Sequence, residues 1–462
     1  MSWVHRTSIK EIGPLPGFIR LSKRGAMTSG GVPLEGGYGW VVVSVLFLQY
    51  IIMAGIQGSV GIIHTELVSE TSYSLSMIGW IGSLMIGLCT MSSPFISILT
   101  KFIPCRILAI TGSLLMSLGF LCAAFTSSVP VLFLCLGILP GIGMNLISFS
   151  SIMILRGYFL KMLPLAYGMC LAGVGVGMVS FPPFYVYLHV TFGLQGSFLI
   201  VSAICMNSVV FSGLTIPTRT QSQSETQKSM EKGLSLADLF DFSLFKSYTF
   251  VMFVTGHLIF NIAYAVPFTY LPIKGEETGF FEQSSALFIT VLGAGSSVGR
   301  ILFGWMSGKF PLIRKKAFLV VMVLSTLSLL PVSFTSSYSL IMVCSTIFGA
   351  CAGIIHTEIP SFLIGLIGID NLPNGLSVAY LQQGIGSLVG IPIAEAVCRR
   401  VGDNAAFVFT TVVCALVLVL FTLSLYLPER KPETPKVPHI LPEVPKPEVF
   451  VVTMAETGPT AA

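Results

Sequence analysis

The chain has 462 residues, of which 53% are hydrophobic and only 10% charged, against the roughly 25% charged that is usual for soluble globular domains. A mean hydropathy of +0.87 excludes a soluble protein and a single anchor or signal peptide alike, because apolar segments must recur along the whole length. The net charge of +5 raises nucleic acid as a partner, but the placement of the charges accounts for it without one.

Residues 1–36 are polar and basic, and no secretory signal is expected there. Twelve apolar runs follow, at 41–63, 77–98, 106–126, 130–155, 164–188, 194–216, 248–271, 284–307, 317–335, 338–366, 373–398 and 404–427. Each is close to the roughly 20 residues that a helix needs to cross hydrocarbon. They divide six and six around a polar stretch at 218–246. The expected organisation is an N-terminal segment 1–40, a six-helix half 41–216, a central loop 217–247, a second half 248–427, and a Pro- and Glu-rich disordered tail 428–462.

Lys and Arg resist translocation, so their distribution over alternate loops predicts direction. With the N-terminus cytoplasmic, 21 of the 25 basic residues fall inside, only Lys274, Arg399 and Arg400 lie outside, and Arg300 remains within a span. Both termini are therefore expected in the cytoplasm, and the positive charge is a topology signal. The ten cysteines lie in or beside apolar runs without CxxC spacing, which predicts small helix residues, no disulfide framework, no metal and no cofactor.

Helices in lipid approach closely through small residues four apart. Such sets occur at Gly79, Ser83 and Gly87, at Gly137 and Gly141, at Gly173 and Gly177, at Gly295 and Gly299, and at Gly386 and Gly390. With Pro182, Pro183 and Pro392, they predict tightly packed, bent helices around a cavity.

The stretch GIIHTEL, 61–67, returns as GIIHTEI, 353–359. The first copy ends a span near water and the second lies inside one. A shared metal site would need two non-equivalent positions to converge with no further histidine nearby, so the repetition reads as chance.

Two stretches go beyond composition: EGGYGW at 35–40 and YFLKMLPLAYGMCLAG at 158–173. They resemble the signature motifs of the monocarboxylate transporter family, solute carrier family 16 within the major facilitator superfamily, written D/E-G-G-W/F-G-W and Y-F-x-K-R-R-x-L-A-x-G-x-A-x-A-G. Glu35, Gly36, Gly37, Gly39 and Trp40 match the first, and Tyr158, Phe159, Lys161, Gly168 and Gly173 are among the matches to the second. Further similarity in GIDNLPNGLSVAYLQQGIGSLVGIPIAE, 368–395, extends the resemblance over most of 35–427. It implies an all-α membrane protein with the major facilitator fold, twelve transmembrane helices in two pseudo-symmetric six-helix halves.

The departures mark a divergent member. Tyr38 replaces an aromatic Trp or Phe, Met162 and Leu163 replace paired arginines, and Glu395 ends a segment that in the family reads G-P-P-x-x-G. The family's proton-coupled carriers use a Lys in the first span and an Asp and an Arg four apart in the eighth. The resemblance places Gln57 on the lysine, Ser296 on the aspartate and Arg300 on the arginine.

A buried arginine in a span usually faces a cavity or a partner, and its planar fork suits a carboxylate. Arg300, Gln57, Ser296 and Asn261 are thus the candidate substrate residues. Glu358, in the tenth span, is expected either to neutralise Arg300, to carry a proton, or to form a static ion pair. His257 and Asn261, four apart in the seventh, line one helix face, as cavity lining or as interhelical hydrogen bonds.

No serine–histidine pair, paired aspartates or HExxH motif stands in the spans, so no enzyme is expected. The reading is a plasma-membrane carrier of a small organic anion working by alternating access, by facilitated diffusion or, alternatively, by proton symport through Glu358. A non-transporting sensor or scaffold is the reading of another class. The resemblance also implies an ancillary single-span membrane glycoprotein as a candidate partner.

Overall fold

The computed structural model describes residues 36–70, 75–126, 128–216, 242–310, 313–369, 371–402 and 404–426. Expectations for residues 1–35, including Glu35, for most of the central loop and for the tail lie outside the described residues. The described residues are helical apart from short connections. A backbone in hydrocarbon must satisfy its own polar groups, and the helix does so within one segment.

Among the described residues ten helices are long and apolar enough to cross a membrane, and a bent pair, Met77–Met91 and Ser93–Leu99, makes an eleventh span. The twelfth comes from Leu163–Leu214, whose 52 residues would run about 78 Å, more than twice the hydrocarbon thickness of about 30 Å. It breaks at Gly193, where φ is 67°, a conformation that side chains other than glycine rarely adopt. The spans are α1 (Tyr38–Glu70), α2 (75–99), α3 (Cys105–Ala123), α4 (Val129–Tyr158), α5 (163–192), α6 (194–214), α7 (Tyr248–Glu277), α8 (Glu282–Lys309), α9 (Arg314–Ser328), α10 (Tyr338–Ile367), α11 (Leu372–Val401) and α12 (Ala405–Tyr426).

Prolines account for the bends. Pro94 follows the 45° break in α2, Pro140 follows a π-helical stretch at Phe133–Ile138, and Pro267 follows the break in α7 at Ala265. Each lacks the N–H that would continue the ladder. Helices overrun the apolar runs at several ends: α1 continues to Glu70 and α7 to Glu277.

Glycines set the helix seams. A Cβ on Gly173 would lie 2.4 Å from the Phe47 carbonyl and one on Gly177 2.3 Å from that of Ile51, so α5 rides directly on the backbone of α1. Gly295 and Gly299 bring α8 equally close to Thr346 and Ala350 of α10, and Gly386 and Gly390 bring α11 onto Leu258 and Ile262 of α7. Gly137 and Gly141 seat α4 on α2. The expected α2 set is corrected: Gly79 has nothing within 4 Å, and Gly87 meets only Leu388 and Met91, at 3.7 Å and 3.9 Å. The tight α2 glycine is Gly82, against Val60 and His64, because the helix turns that face toward α1.

Polar side chains add fixed points inside the first half. The Gln49 amide on α1 donates to the Ser208 carbonyl at 3.1 Å and to Ser212 Oγ at 2.7 Å on α6. Ser113 and Ser117 of α3 bond the same helix. Such bonds hold helices together where hydrophobicity no longer drives association.

The two halves meet along α5 with α8 and α2 with α11. Gly168 packs on the Arg300 carbonyl, Gly304 on Pro164, Gly175 on Gly293 and Ser297, and Gly384 on Thr90 and Met91. Arg156 donates to the Ile369 carbonyl at 3.1 Å. These contacts run from the middle of the bundle to the end that carries Arg156, Lys161, Lys309 and Arg314, called here the basic end.

Gly299→Ala is expected to cost about 1–3 kcal/mol through overpacking against Ala350, whereas Gly79→Ala, facing open space, is expected to be neutral. Thermal unfolding of the two purified variants in detergent checks the contrast.

Candidate substrate site

Arg300 lies on α8 where α5 and α10 both press against it. Gly168 lets the α5 backbone reach the Arg300 carbonyl, and Gly299 lets α10 close from the other side. The side chain is only 4% exposed. Its Nη1 donates to the Leu171 carbonyl of α5 at 2.6 Å. Around it, within electrostatic reach, stand Tyr50 of α1, Tyr167 of α5, Tyr264 of α7 and His356 of α10. Among the described residues no carboxylate pairs with it. A buried guanidinium held by neutral dipoles keeps a net positive charge in a medium of low dielectric, which is the condition for binding an anion.

The α7 residues join this region. Both His257 and Asn261 are fully buried. The Asn261 amide donates to the His257 carbonyl at 2.8 Å and lies 3.1 Å from His257 Nε2. The His356 ring bridges outward from Arg300, 6.0 Å from His257, 5.6 Å from Phe260 and 4.7 Å from Tyr264, centroid to centroid.

Glu358 faces the other way. It is fully buried and accepts from Arg314 Nε at 2.7 Å, with Nη2 also on the same oxygen. Arg314 stacks over Phe362 at 5.1 Å. The expectation that Glu358 neutralises Arg300 is therefore corrected: two residues apart on a helix point in different directions, so His356 turns toward α7 and α8 while Glu358 turns toward α9.

Gln57 and Ser296 do not meet around the guanidinium either. The half-buried Gln57 amide points to Cys89 Sγ at 3.2 Å and Met144 Sδ at 3.6 Å, within the first half. Ser296 is buried in the α8–α10 seam, where a Cβ on Gly353 would touch its Oγ at 2.6 Å.

A family profile described as Major Facilitator Superfamily matches residues 45–368 and 276–452. The chain belongs to the major facilitator superfamily. It is similar to monocarboxylate transporter 2 of Mesocricetus auratus, 27% identical over 390 residues covering 80% of each chain, and to monocarboxylate transporter 13 of Rattus norvegicus, 26% identical over 376 residues covering 81% of this chain and 86% of the other. Among solved structures it is similar to the major facilitator transporter FucP in its outward conformation, with a TM-score of 0.65 at 13% identity, covering 84% of this chain and 99% of the other. It is thus a multi-pass membrane transporter rather than an enzyme.

Within this superfamily fold, the two signature stretches prove to be one joint. Gly36 and Gly37 turn the chain into α1 with φ of 146° and 63°. Gly39 then packs on Phe159 and Tyr158, and the Trp40 ring meets Phe159 edge-on at 5.0 Å. Tyr158 in turn donates to the Ile216 carbonyl beyond α6. The Lys161 carbonyl lies near Gly308 of α8. Gly168 and Gly173 of the same motif make the contacts with Arg300 and Phe47 already described. The matching residues Tyr158, Phe159, Gly168 and Gly173 therefore place α5 against α1 and α8, while Tyr167 and Leu171 of the same stretch stand at the guanidinium.

The HTE copies stay apart, and one expectation about them changes. Glu66 is not without a histidine neighbour, because His189 of α5 pairs with it at 2.6 Å. Among the described residues no group of three His, Cys, Asp or Glu is placed to hold a metal.

Sequence reasoning missed the tyrosines. Tyr50, Tyr264 and Tyr380 lie two turns or more inside their spans, deeper than the interfacial belt where tyrosine is usually enriched, and Tyr167 lies one turn inside α5. That depth was the available signal.

Glu358→Gln leaves Arg314 without its counter-ion and is expected to destabilise by about 3 kcal/mol, the low end for breaking a buried pair, since Arg314 reaches water. Thermal unfolding of the variant beside Arg314→Gln and the double variant measures the coupling.

Proposed function

We propose that the chain is a divergent monocarboxylate transporter that carries a small organic anion, a monocarboxylate or a related carboxylate, across the plasma membrane by facilitated diffusion. The observation that carries this reading is the buried Arg300 guanidinium, held by a carbonyl and surrounded by tyrosines rather than by a carboxylate. The names of the similar transporters point to the same substrate class. The distribution of basic residues favours cytoplasmic termini, and on that reading the end at which the halves touch is the cytoplasmic one. Rocking of the halves about Arg300 then exposes it to each side in turn.

Facilitated diffusion is favoured over proton symport because the positions aligned with the family's lysine and aspartate are Gln57 and Ser296. Glu358 is occupied by Arg314, and symport through it would require that pair to separate in each cycle.

Arg300→Ala is expected to lower saturable uptake of labelled lactate, pyruvate or amino-acid-like acids at least about tenfold, the loss of a hydrogen bond to a charged group, with surface amount unchanged. Full uptake would remove Arg300 from the site. Cells expressing the protein are expected to take up the anion without acidification beyond that of control cells. Acidification matching uptake, lost in Glu358→Gln, would replace facilitated diffusion by symport.

A further inference from the structure

We infer that Tyr167 and Tyr380, backed by Phe149, form a gate that closes the carrier at the basic end, and that the gate shares one turn of α5 with the Arg300 tether. The two hydroxyls lie 3.0 Å apart and join α5 of the first half to α11 of the second. Both side chains are buried, and the Tyr380 ring meets Phe149 of α4 at 6.3 Å and 82°. Tyr50 of α1 stands beside Tyr167. Two helices of one half therefore meet one tyrosine of the other, with a third standing behind Tyr167.

The position gives this cluster its role. Tyr380 lies eight residues from the start of α11 at Leu372, and Phe149 lies nine from the end of α4 at Tyr158. Arg156 and Ile369 close the ends beyond them. Tyr167 precedes Leu171 by one helical turn, and it is the Leu171 carbonyl that accepts from Arg300. A single turn of α5 is thus tied to α11 through a side chain and to α8 through a carbonyl.

The two ties differ in chemistry. The Arg300 bond is charge-assisted, and its donor is the group proposed to hold the carboxylate. A carboxylate arriving at the guanidinium competes for Nη1 with the Leu171 carbonyl, because an anion is the stronger acceptor. Once that bond is lost, only neutral hydrogen bonds tie that turn to the second half, the tyrosine pair and the one that Ser297 Oγ of α8 donates to the Ala172 carbonyl at 2.9 Å, and each such bond shifts an equilibrium only about fivefold. Anion binding therefore loosens the same turn whose movement parts the halves. The last step rests on the anion-carrier reading, whereas the gate itself rests on geometry alone.

The test uses the full-length protein in lipid nanodiscs without substrate, following amide hydrogen exchange at the basic ends of α5 and α11 in Tyr167→Phe, Tyr380→Phe and the double variant. Phenylalanine keeps the ring packing and removes only the hydroxyl. Each single variant is expected to speed exchange there about fivefold. The double variant is expected to do no more than either single, since one shared bond is removed once. Unchanged exchange in either single variant, or effects that multiply in the double, would overturn the gate. If exchange behaves as expected while Arg300→Ala retains full uptake, the gate stands and the anion-site reading falls. Unchanged exchange with uptake lost in Arg300→Ala removes the gate alone.

Discussion

Backbone contact at glycine is the constraint from which the rest of this structure follows. Lipid offers no hydrophobic reward for hiding leucine, so two helices stay together only where their main chains can touch. α8 meets that condition on two sides at once, at Gly299 against α10 and at Gly168 of α5 against its own Arg300 carbonyl. The charge on Arg300 is consequently enclosed by three helices drawn from both halves. A larger residue at either glycine would separate the helices and admit lipid or water beside the guanidinium.

Arg300 and the half-buried Arg314 of the second half show how partner geometry divides roles. Arg314 has a carboxylate in Glu358 and an aromatic face in Phe362, which makes it a structural pair joining α9 to α10. Arg300 has a carbonyl and phenol rings. A carbonyl dipole holds a guanidinium without cancelling its charge, so the first site is electrostatically closed and the second is open to an anion. His356 and Glu358, two residues apart, serve the opposite sides of this division.

The signature motifs act one level below the chemistry. Gly36 and Gly37 bend the chain into α1, Gly39 and Trp40 dock on Phe159, and Gly173 seats α5 on Phe47. Gly168, in the same stretch, packs on the Arg300 carbonyl.

The twelve spans and the depth of Arg300 were readable from the chain, since transfer into hydrocarbon is a local cost paid residue by residue and is written in consecutive letters. The glycine sets were readable in part: four of the five expected ones form seams, and the α2 set failed because spacing four apart does not say which face of a helix meets a neighbour. That same rotation about the helix axis separates Glu358 from Arg300, takes Gln57 to Cys89 and Met144, and brings Tyr50, Tyr167, Tyr264 and Tyr380 inward. A side chain's partner depends on the crossing of helices far apart in the chain, and those crossings arise only when all the seams close together.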